Sequence, residues 1–512
     1  MEDVNDNMTG SSQWTVTEST PLLGESTMTE SHMGISQQTL VSRGNETSAR
    51  KLPQYLAGLA ATLGALAAGM VLGWTSPAGA NGVNLSKEYN MTISKEDFSW
   101  IGSIFNLGAA TICVPIGILT DIIGRKKSML ILVLPFTIGW CLIIWADSVA
   151  MFEAGRYILG VSGGAFCVTA PMYTAEIAES SIRGSLGSYF QLMLCVGILL
   201  TYVLGSVVSM FVLSLISAVV PLVFFVIFFF MPETPTYYLK KGDVGAARKS
   251  YRWLRGPDYN IEVELETQRE TLAAAQRNQT SFLTSIRSRA AIKGLIIAFG
   301  LMFFQQLSGV NAIIFYSGSL FDAAGSSMDS NLSTIIVGVM QVIAVFISTL
   351  IVDKLGRRIL LIGSVLAMCI SALVIGVYFN LKRNDNPVAE DIGWLPLLGV
   401  CIFIIMFSLG FGPIPWMMIG EIFAPQVKGI AGSSACLFNW LMAFVVTRFY
   451  SPVEQALGTD WTFWIFSIVC AVGVVFVVIV VPETKGKSLE EIQVELGGRR
   501  PTVTGMVHTN KV

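Results

Sequence analysis

The stretch GILTDIIGRKK, residues 117–127, decides the fold because its core recurs as DKLGRR at residues 353–358. Each copy directly follows a long apolar segment. Two other signatures recur in the same order along the chain. They are a glutamate seven residues before a basic residue and a glycine (Glu176 with Arg183, Glu421 with Lys428) and the tripeptide Pro-Glu-Thr (232–234 and 482–484). Three signatures in matching order predict two six-helix halves in parallel repeat.

The composition places these halves in a membrane. Of the 512 residues, 53% are hydrophobic and 13% are charged, whereas a soluble domain has about 25% charged residues. Twelve apolar segments have about the 20 residues that cross the hydrocarbon core. We place them at residues 55–77, 98–120, 128–146, 157–175, 185–206, 211–231, 294–318, 333–352, 359–380, 394–418, 430–448 and 462–481. The expected fold is an all-α membrane protein of twelve transmembrane helices.

The basic residues predict the orientation. The loops at 121–127 and 353–358 and the central loop carry the excess of Lys and Arg, which stays on the cytoplasmic side. Both termini are then cytoplasmic in a multi-pass protein, which we expect in the plasma membrane. The predicted division is a disordered cytoplasmic tail (1–50), an N-terminal six-helix bundle (51–239), cytoplasmic linker helices (240–293), a C-terminal six-helix bundle (294–484) and a cytoplasmic tail (485–512).

The central loop has helical patterns at 244–255 and 262–276. A solvated linker and a small helical layer docked under the bundle both fit these patterns. We favour the layer, because Tyr251, Trp253 and Leu254 would otherwise be exposed.

Charged residues at the repeated signatures predict ion pairs at the cytoplasmic mouth. Each half has two basic residues that can pair with either of two glutamates, and an aspartate that can cap the following helix. The residues are Asp121, Arg125, Glu176, Arg183 and Glu233 in the first half and Asp353, Arg357, Glu421, Lys428 and Glu483 in the second. We hypothesise that these pairs clasp the two halves when this mouth is shut. Ordinary charge that orients the chain is the alternative.

A second stretch, GLMFFQQLSGVNAIIFYSG at 300–318, puts neutral polar side chains inside a membrane span. Gln305, Gln306 and Asn311 lie there without a charged neighbour in the segment. Polar groups at this depth are costly unless they have partners, so they face a bundle interior or a water-filled cavity. Amides donate and accept hydrogen bonds, which suits a neutral sugar. Bonding between helices is the alternative for each amide.

Two places break the helical pattern. Pro413 and Pro415 remove two backbone N–H groups close together. Gly309 follows the paired glutamines and favours a local distortion. All three residues are candidate hinges or gates.

Nine motifs together resemble the sugar porters of the major facilitator superfamily, of the facilitative glucose-transporter type. They are GILTDIIGRKK (117–127), GRYILG (155–160), PMYTAEIAESSIRG (171–184), QLMLCVG (191–197), PETPTYYL (232–239), QQLSGVNAIIFYS (305–317), DKLGRR (353–358), GFGPIPWMMIGEIF (410–423) and PETKGKSLEEI (482–492). The resemblance covers about residues 52–495. LMFFQQLSGVNAIIFYS, GWLPL (393–397) and GPIPW are similar to insect facilitated trehalose transporters and to the intracellular glucose-transporter branch.

The resemblance implies a sugar site of amides and indoles. Its members would be Gln191, Gln305, Gln306, Asn311, Gln341, Asn439 and Trp440, with Trp416 packed at the inner side. Interhelical bonding for the amides and core packing for the tryptophans are the alternatives. The chain departs from the family pattern at Lys428, where an arginine is usual, at Thr236, where PESPR has its arginine, and at Ser408, where some glucose carriers have a glutamate.

The first predicted span contains no charged residue between Leu52 and Ser86. Proton-coupled sugar relatives often place an acid there, and coupling needs a titratable group near the site. We therefore expect a facilitative uniporter that carries trehalose or a hexose such as glucose by alternating access. A proton–sugar symporter and a non-transporting sugar sensor are the alternatives, the sensor disfavoured by a short C-terminal tail.

Other function classes find no support in the sequence. No nucleophile, base or metal-ligand constellation appears, so we expect neither an enzyme nor a metal site, cofactor or nucleic-acid partner. Both histidines, His32 and His508, lie in the tails. The eight cysteines all fall in apolar segments, which is typical of small buried side chains rather than of a disulfide framework.

Short motifs predict modification and sorting. Asn84, Asn90 and Asn331 lie in N-x-S/T sequons on the predicted outer side and are candidate glycosylation sites, Asn90 being furthest from a helix end. Glu18, Leu22 and Leu23 fit the acidic dileucine pattern that clathrin adaptors recognise. That motif would place part of the protein in endosomes or lysosomes.

Overall fold

The computed structural model describes residues 49–79, 82–179, 181–277, 287–325, 329–423, 425–487 and 489–497. Within them, twelve helices are long and apolar enough to cross a membrane. Spans 1 to 12 are Leu52–Gly73, Lys95–Ile123, Arg125–Ile144, Val149–Ile177, Arg183–Gly205, Met210–Phe229, Arg289–Phe315, Ser330–Val352, Arg357–Arg383, Leu395–Ile422, Val427–Leu457 and Thr459–Val480. The predicted all-α architecture of twelve spans is confirmed.

Several spans begin before their predicted limits. Span 4 starts at Val149 instead of residue 157, which puts Arg156 inside the helix. Span 2 starts at Lys95 with a capping box, in which Ser94 Oγ accepts from the backbone N–H of Asp97 and the Asp97 carboxylate accepts from that of Ser94. A polar cap of this kind extends a helix beyond its apolar segment, so hydropathy alone underestimates its length.

The contacts between helices repeat in the two halves. Spans 1 and 5, 3 and 4, and 3 and 6 pack together in the first half, as do spans 7 and 11, 9 and 10, and 9 and 12 in the second. The halves meet where span 2 packs on span 11 and span 5 on span 8. Each interface pair becomes the other after a shift of six spans. This pattern confirms the parallel repeat that the three signatures predict.

Glycines bring the helices of the first half close together. A Cβ on Gly69 would lie 2.0 Å from the carbonyl oxygen of Leu194, where spans 1 and 5 cross. A Cβ on Gly108 would lie 2.1 Å from the carbonyl oxygen of Tyr157, where spans 2 and 4 cross. Small residues allow such backbone contact in membrane bundles. The first half is therefore a tightly packed unit.

The bundle is closed at one end. We call the end that carries Arg125 and Arg357 the arginine end, and the opposite end, which carries Asn90, the far end. The described hydrogen bonds and ion pairs between the halves begin at the far end with Glu96 and Arg448 and reach mid-depth. None of the described bonds crosses between the halves deeper than that, toward the arginine end.

Three short helices follow span 6 and form a layer under the first half. They are Pro235–Lys240, Val244–Arg255 and Ile261–Arg277. Buried Arg255 donates to the carbonyl oxygen of Ile177 at 2.7 Å, at the end of span 4, and forms an ion pair with Glu264 at 2.7 Å. Leu254 is buried, whereas Trp253 is 40% exposed, contrary to the expectation that it would be covered. The described part of the loop up to residue 277 is thus a helical layer attached to the first half.

The second half has its own short helix at the arginine end. Helix Leu489–Gly497 packs against spans 7 and 10, with Ile492 and Leu496 buried. The predicted C-terminal tail therefore begins with a docked helix. The other short helices are Val83–Glu88, Ser317–Ala324 and Val388–Asp391. Residues 1–48 and 498–512 lie outside the described residues. The dileucine motif of Glu18, Leu22 and Leu23 falls in the first of these two segments.

Candidate functional site

A charged cluster follows span 2 at the arginine end. Gly124 has φ +103°, a conformation that side chains rarely adopt, and it turns the chain sharply into span 3. Arg125 Nη2 then lies 2.9 Å from Glu176 Oε1, and Arg125 Nη1 lies 3.0 Å from Asp121 Oδ1. The Glu233 carboxylate accepts from the backbone N–H of Arg125 at 3.1 Å. The cluster ties the ends of spans 2, 4 and 6 together.

The second half repeats this cluster. Gly356 has φ +94°. Arg357 Nη2 lies 3.0 Å from Glu421 Oε1, and Glu483 accepts from the backbone N–H of Arg357 at 3.0 Å. The side chain of Asp353 lies outside the described part of the chain. Sequence repetition is therefore reproduced in the hydrogen bonds themselves.

Arg183 and Lys428 differ from the expected pairing. Arg183 Nη2 reaches the carbonyl oxygen of Ala178 at 3.5 Å, and Lys428 Nζ donates to that of Gly420 at 3.0 Å. The described ion pairs of both clusters stay within one half. They hold helix ends together inside each half, and no described ion pair joins the two halves at the arginine end.

The two repeated glutamates have opposite electrostatic environments. Burial raises the pKa of Glu233, although backbone N–H groups of Thr234 and Lys126 oppose the shift. Burial also acts to raise the pKa of Glu483, but backbone N–H groups, among them those of Lys485 and Arg357, outweigh it and lower the pKa below its ordinary value. A carboxylate that accepts several N–H bonds is stabilised in its charged form. The equivalent positions thus titrate differently.

Span 10 is interrupted by five residues of π-helix, Phe407–Phe411, directly before the two prolines. Proline has no N–H, so the carbonyl four residues earlier loses its helical partner. Ser348 Oγ of span 8 donates to the carbonyl oxygen of Leu409 at 2.9 Å, and Gln305 Nε2 of span 7 donates to that of Phe411 at 2.7 Å. Side chains from neighbouring spans therefore satisfy the carbonyls that Pro413 and Pro415 leave free.

Four amides, three on span 7 and one on span 11, form a continuous chain of hydrogen bonds that ends on the backbone carbonyls of this break. Asn311 Nδ2 donates to Gln306 Oε1 at 2.6 Å, and Gln306 Nε2 donates to Asn439 Oδ1 at 3.0 Å. Asn439 Nδ2 donates to Gln305 Oε1 at 2.7 Å, and Gln305 donates to the carbonyls of Phe411 and Gly412. We call Asn311, Gln306, Asn439 and Gln305 the amide relay. Asn311 is its half-buried end, where a ligand can exchange hydrogen bonds with it.

A break in span 7 makes the relay possible. The helix Arg289–Leu307 ends at Ser308, Gly309 has φ +90°, and a second helix, Val310–Phe315, follows. Span 7, predicted over residues 294–318, is therefore interrupted at Gly309, where the sequence favours a local distortion. The turn at Gly309 redirects the chain and brings Asn311 back to Gln306, which a straight helix would not do.

The remaining predicted site residues lie outside the relay. Trp440 follows Asn439 on span 11, packs edge-on against Phe105 of span 2 at 6.0 Å, and its buried Nε1 has no partner among the described residues. Gln341 is buried on span 8. Gln191 Nε2 lies 3.6 Å from Cys195 Sγ on span 5, and Trp416 is 37% exposed below the prolines. The described contacts do not join Gln191, Gln341 or Trp416 to the relay.

Two arginines near predicted span limits were missed as functional residues. Arg156 is fully buried, donates to the carbonyls of Val71, Ile101 and Gly102 at 2.6, 3.0 and 3.4 Å, and lies 5.3 Å above the ring of Phe105. No described ion pair includes it. Arg448 is the basic partner between the halves. A charge adjoining an apolar run is the signal that could have identified both.

The sequons lie on exposed positions at the far end. Asn84 Nδ2 donates to the carbonyl oxygen of Pro77 at 2.9 Å, whereas Asn90 follows helix Val83–Glu88 with φ +49°. Asn331 lies in the first turn of span 8. Asn84 already uses one of its two amide hydrogens in this bond, whereas Asn90 has no such bond among those described.

Twelve spans in two repeated halves, with matching charged turns, define a major facilitator carrier. Residues 57–496 match the family of sugar (and other) transporters. The chain is 41% identical over 449 residues to the facilitated trehalose transporter Tret1 of Bombyx mori, which covers 87% of this chain and 88% of that relative. It is 41% identical over 450 residues to Tret1 of Culex quinquefasciatus, with 87% and 86% covered. The chain therefore belongs to the sugar transporter family, as its motifs predict.

Solved structures share the fold. The proton:xylose symporter XylE bound to 6-bromo-6-deoxy-D-glucose has a TM-score of 0.71 at 24% identity, covering 86% of this chain and 99% of that one. The partially occluded inward-open form of XylE from E. coli has a TM-score of 0.71 at 23% identity, with 85% and 99% covered. At these identities the similarity establishes the major facilitator fold.

Proposed function

We propose that the chain is a facilitative carrier that moves trehalose across a membrane by alternating access. The amide relay carries the proposal, because it offers several uncharged donors and acceptors inside a membrane bundle. Such groups suit a polyhydroxylated, neutral ligand. The names of the Bombyx and Culex relatives favour trehalose over a hexose such as glucose.

Within this function, the predicted site residues divide by their contacts. Asn311 and Gln306 would contact the sugar, with Trp440 offering its ring and its free indole N–H. Gln191 and Gln341 would complete the site from spans 5 and 8. Gln305 supports the break in span 10, since both its donor bonds go to backbone carbonyls. We assign Trp416 to the mouth of the site.

The electrostatics of the first half favour uniport over proton coupling. Arg156 is a buried cation whose described partners are backbone carbonyls and aromatic rings. Coupling requires a group that gains and loses a proton near the site, usually an intramembrane acid. Spans 1 and 5 contain none. Net movement of sugar would then follow its own concentration gradient.

Gating uses the charged clusters and the helix breaks. We assign the closing of the arginine end to the clusters around Arg125 and Arg357, and bending to Gly309, Pro413 and Pro415. The arginine end would face the cytoplasm, because Lys and Arg concentrate there. Asn90 would carry the glycan on the opposite side of the plasma membrane. A clathrin adaptor would bind the dileucine motif and direct part of the protein to endosomes or lysosomes.

The test is uptake by the purified full-length chain in proteoliposomes. Labelled trehalose and glucose are each supplied, with and without a protonophore and an imposed proton gradient. We expect saturable trehalose uptake that reaches equilibrium, exceeds glucose uptake and is unaffected by the protonophore. Accumulation above equilibrium that the protonophore collapses would establish a symporter. Uptake of neither sugar would overturn the proposed substrate class.

A further inference from the structure

Two thiols from opposite halves meet at the interface of spans 2 and 11. Cys113 and Cys436 have their sulfur atoms 3.2 Å apart, and 323 positions of the chain separate them. Both side chains are buried, with 0% and 3% of their surface exposed. All eight cysteines are free thiols. A disulfide between cysteines of different halves would restrict the movement of one half relative to the other, whereas a disulfide within one half would not.

The pair lies where the interface ends. Nearer the far end, spans 2 and 11 are joined by Asn106 and Thr447, whose Nδ2 and Oγ1 lie 2.9 Å apart. One turn beyond Cys113, a Cβ on Gly117 would meet nothing within 4 Å, and the same holds for Gly429 on span 11. Among the described hydrogen-bonding contacts between these two spans, the thiol pair therefore lies nearest to the arginine end.

We propose that Cys113 and Cys436 form a reversible disulfide that joins the two halves and arrests the carrier in the state that is closed at the far end. A disulfide has an S–S length of about 2.05 Å. Starting from 3.2 Å, the sulfurs need to approach by roughly 1 Å to reach it. Rotation of the two cysteine side chains about χ1 moves the sulfur atoms by distances of this order.

The reaction needs a peroxide as the oxidant. One cysteine, as thiolate, attacks a peroxide oxygen, which gives a sulfenic acid; the leaving hydroxide takes up the thiol proton as water. The second sulfur then attacks the sulfenic sulfur, the S–S bond forms, and a second water leaves with the remaining proton. Two thiols lose two electrons in total, and these reduce the O–O bond. A dithiol reverses the reaction by thiol–disulfide exchange.

The functional consequence rests on the proposed carrier activity. Alternating access requires each half to move relative to the other, and spans 2 and 11 belong to different halves. A covalent bond between them removes that relative movement. Oxidation would then stop sugar transport without altering the amide relay, which lies within the second half.

The test uses the full-length chain in proteoliposomes treated with hydrogen peroxide and then alkylated. Mass spectrometry of the digested protein detects any disulfide-linked pair of peptides, and trehalose and glucose uptake is measured on the same sample. We expect peptides containing Cys113 and Cys436 to be linked and uptake to be lost. Dithiothreitol should restore both. Cys113→Ala and Cys436→Ala should each keep untreated uptake and resist peroxide.

Cys470→Ala is the matched control, because Cys470 is equally buried but lies on span 12. This variant should remain sensitive to peroxide. The inference is overturned if no linked peptides form, if they form while uptake persists, or if Cys113→Ala stays sensitive. Absence of sugar uptake before oxidation would instead contradict the proposed function, and the linked peptides would still report on the thiol pair.

Discussion

Glu96 Oε1 and Arg448 Nη2 lie 2.9 Å apart and form the ion pair that, among the described residues, joins the two halves. The Arg448 guanidinium also lies 4.6 Å from the ring centre of Trp100. Ser99 Oγ donates to the backbone carbonyl oxygen of Arg448 at 2.9 Å. Glu96 is exposed and Arg448 is largely buried, and a surface ion pair contributes about 0–1 kcal/mol, which is small enough for the contact to open in each transport cycle.

Replacing Arg448 should open the far end. Arg448→Ala removes the ion pair and the cation–π contact, so we expect the population open at the far end to rise about five-fold for each 1 kcal/mol lost. Distances between spin labels at exposed Lys87 and Ala456, one in each half, measure this. Arg383→Ala is the control, because its ion pair with Asp460 lies within the second half. Equal label distances in Arg448→Ala and Arg383→Ala would show that the Glu96–Arg448 ion pair does not hold the far end closed.

The two adjacent glutamines should respond differently to truncation. Gln306→Ala should raise the KM for sugar about five-fold, since one hydrogen bond contributes about 1 kcal/mol. Gln305→Ala leaves the buried carbonyls of Phe411 and Gly412 without their donor, so it should lower the thermal unfolding temperature at a cost of about 1–3 kcal/mol. Uptake kinetics and thermal unfolding in detergent separate the two effects. Gln455→Ala, exposed at the far end, should change neither quantity.

The turn at Gly124 should not tolerate a side chain. A Cβ there would lie 2.3 Å from Glu233 Oε2, and the residue has φ +103°. Such strain costs about 1–3 kcal/mol, so Gly124→Ala should unfold at a lower temperature. Gly117→Ala, in the preceding span 2, puts a Cβ where nothing lies within 4 Å, and it should leave the unfolding temperature unchanged. Gly356→Ala should behave like Gly124→Ala, and a neutral result there would contradict the repeat of the charged cluster.

The two repeated glutamates should affect stability in different pH ranges. The lowered pKa of Glu483 contributes stability that is present above its ordinary pKa of 4.5 and is lost as the pH falls through the lowered value. The raised pKa of Glu233 means that the folded state holds the proton longer, so its contribution falls as the pH rises from 4.5 through the raised value. Unfolding temperature against pH should therefore flatten on the acid side in Glu483→Gln and above pH 4.5 in Glu233→Gln. Identical pH curves for both variants would contradict the assignment.

The sequence predicts the helices and the repeat because both depend on local sequence patterns. Apolar length locates twelve spans, and three recurring signatures align the halves. Partner choice is different: Arg125 and Arg183 are equally plausible partners of Glu176 by sequence, and only the meeting of spans 2 and 4 selects Arg125. Gln305 likewise reads as a sugar ligand until the prolines of span 10 are placed beside it. Arg156 was missed because a hydropathy window starts the helix after the charge.

Within the proposed function, the amide relay would also make the break in span 10 sensitive to whether the sugar site is occupied. Each relay amide donates to the next, so a sugar hydroxyl that takes a bond from Asn311 or Gln306 changes what Asn439 and Gln305 can offer. Gln305 donates to the carbonyl oxygens of Phe411 and Gly412 beside the prolines. Bending at this point would break hydrogen bonds from side chains and would leave the backbone hydrogen bonds of the flanking helices intact. We infer that the same amide N–H groups serve ligand binding and the support of the break in span 10. Binding of a sugar would then change the free energy of bending at this break through the four amides of the relay.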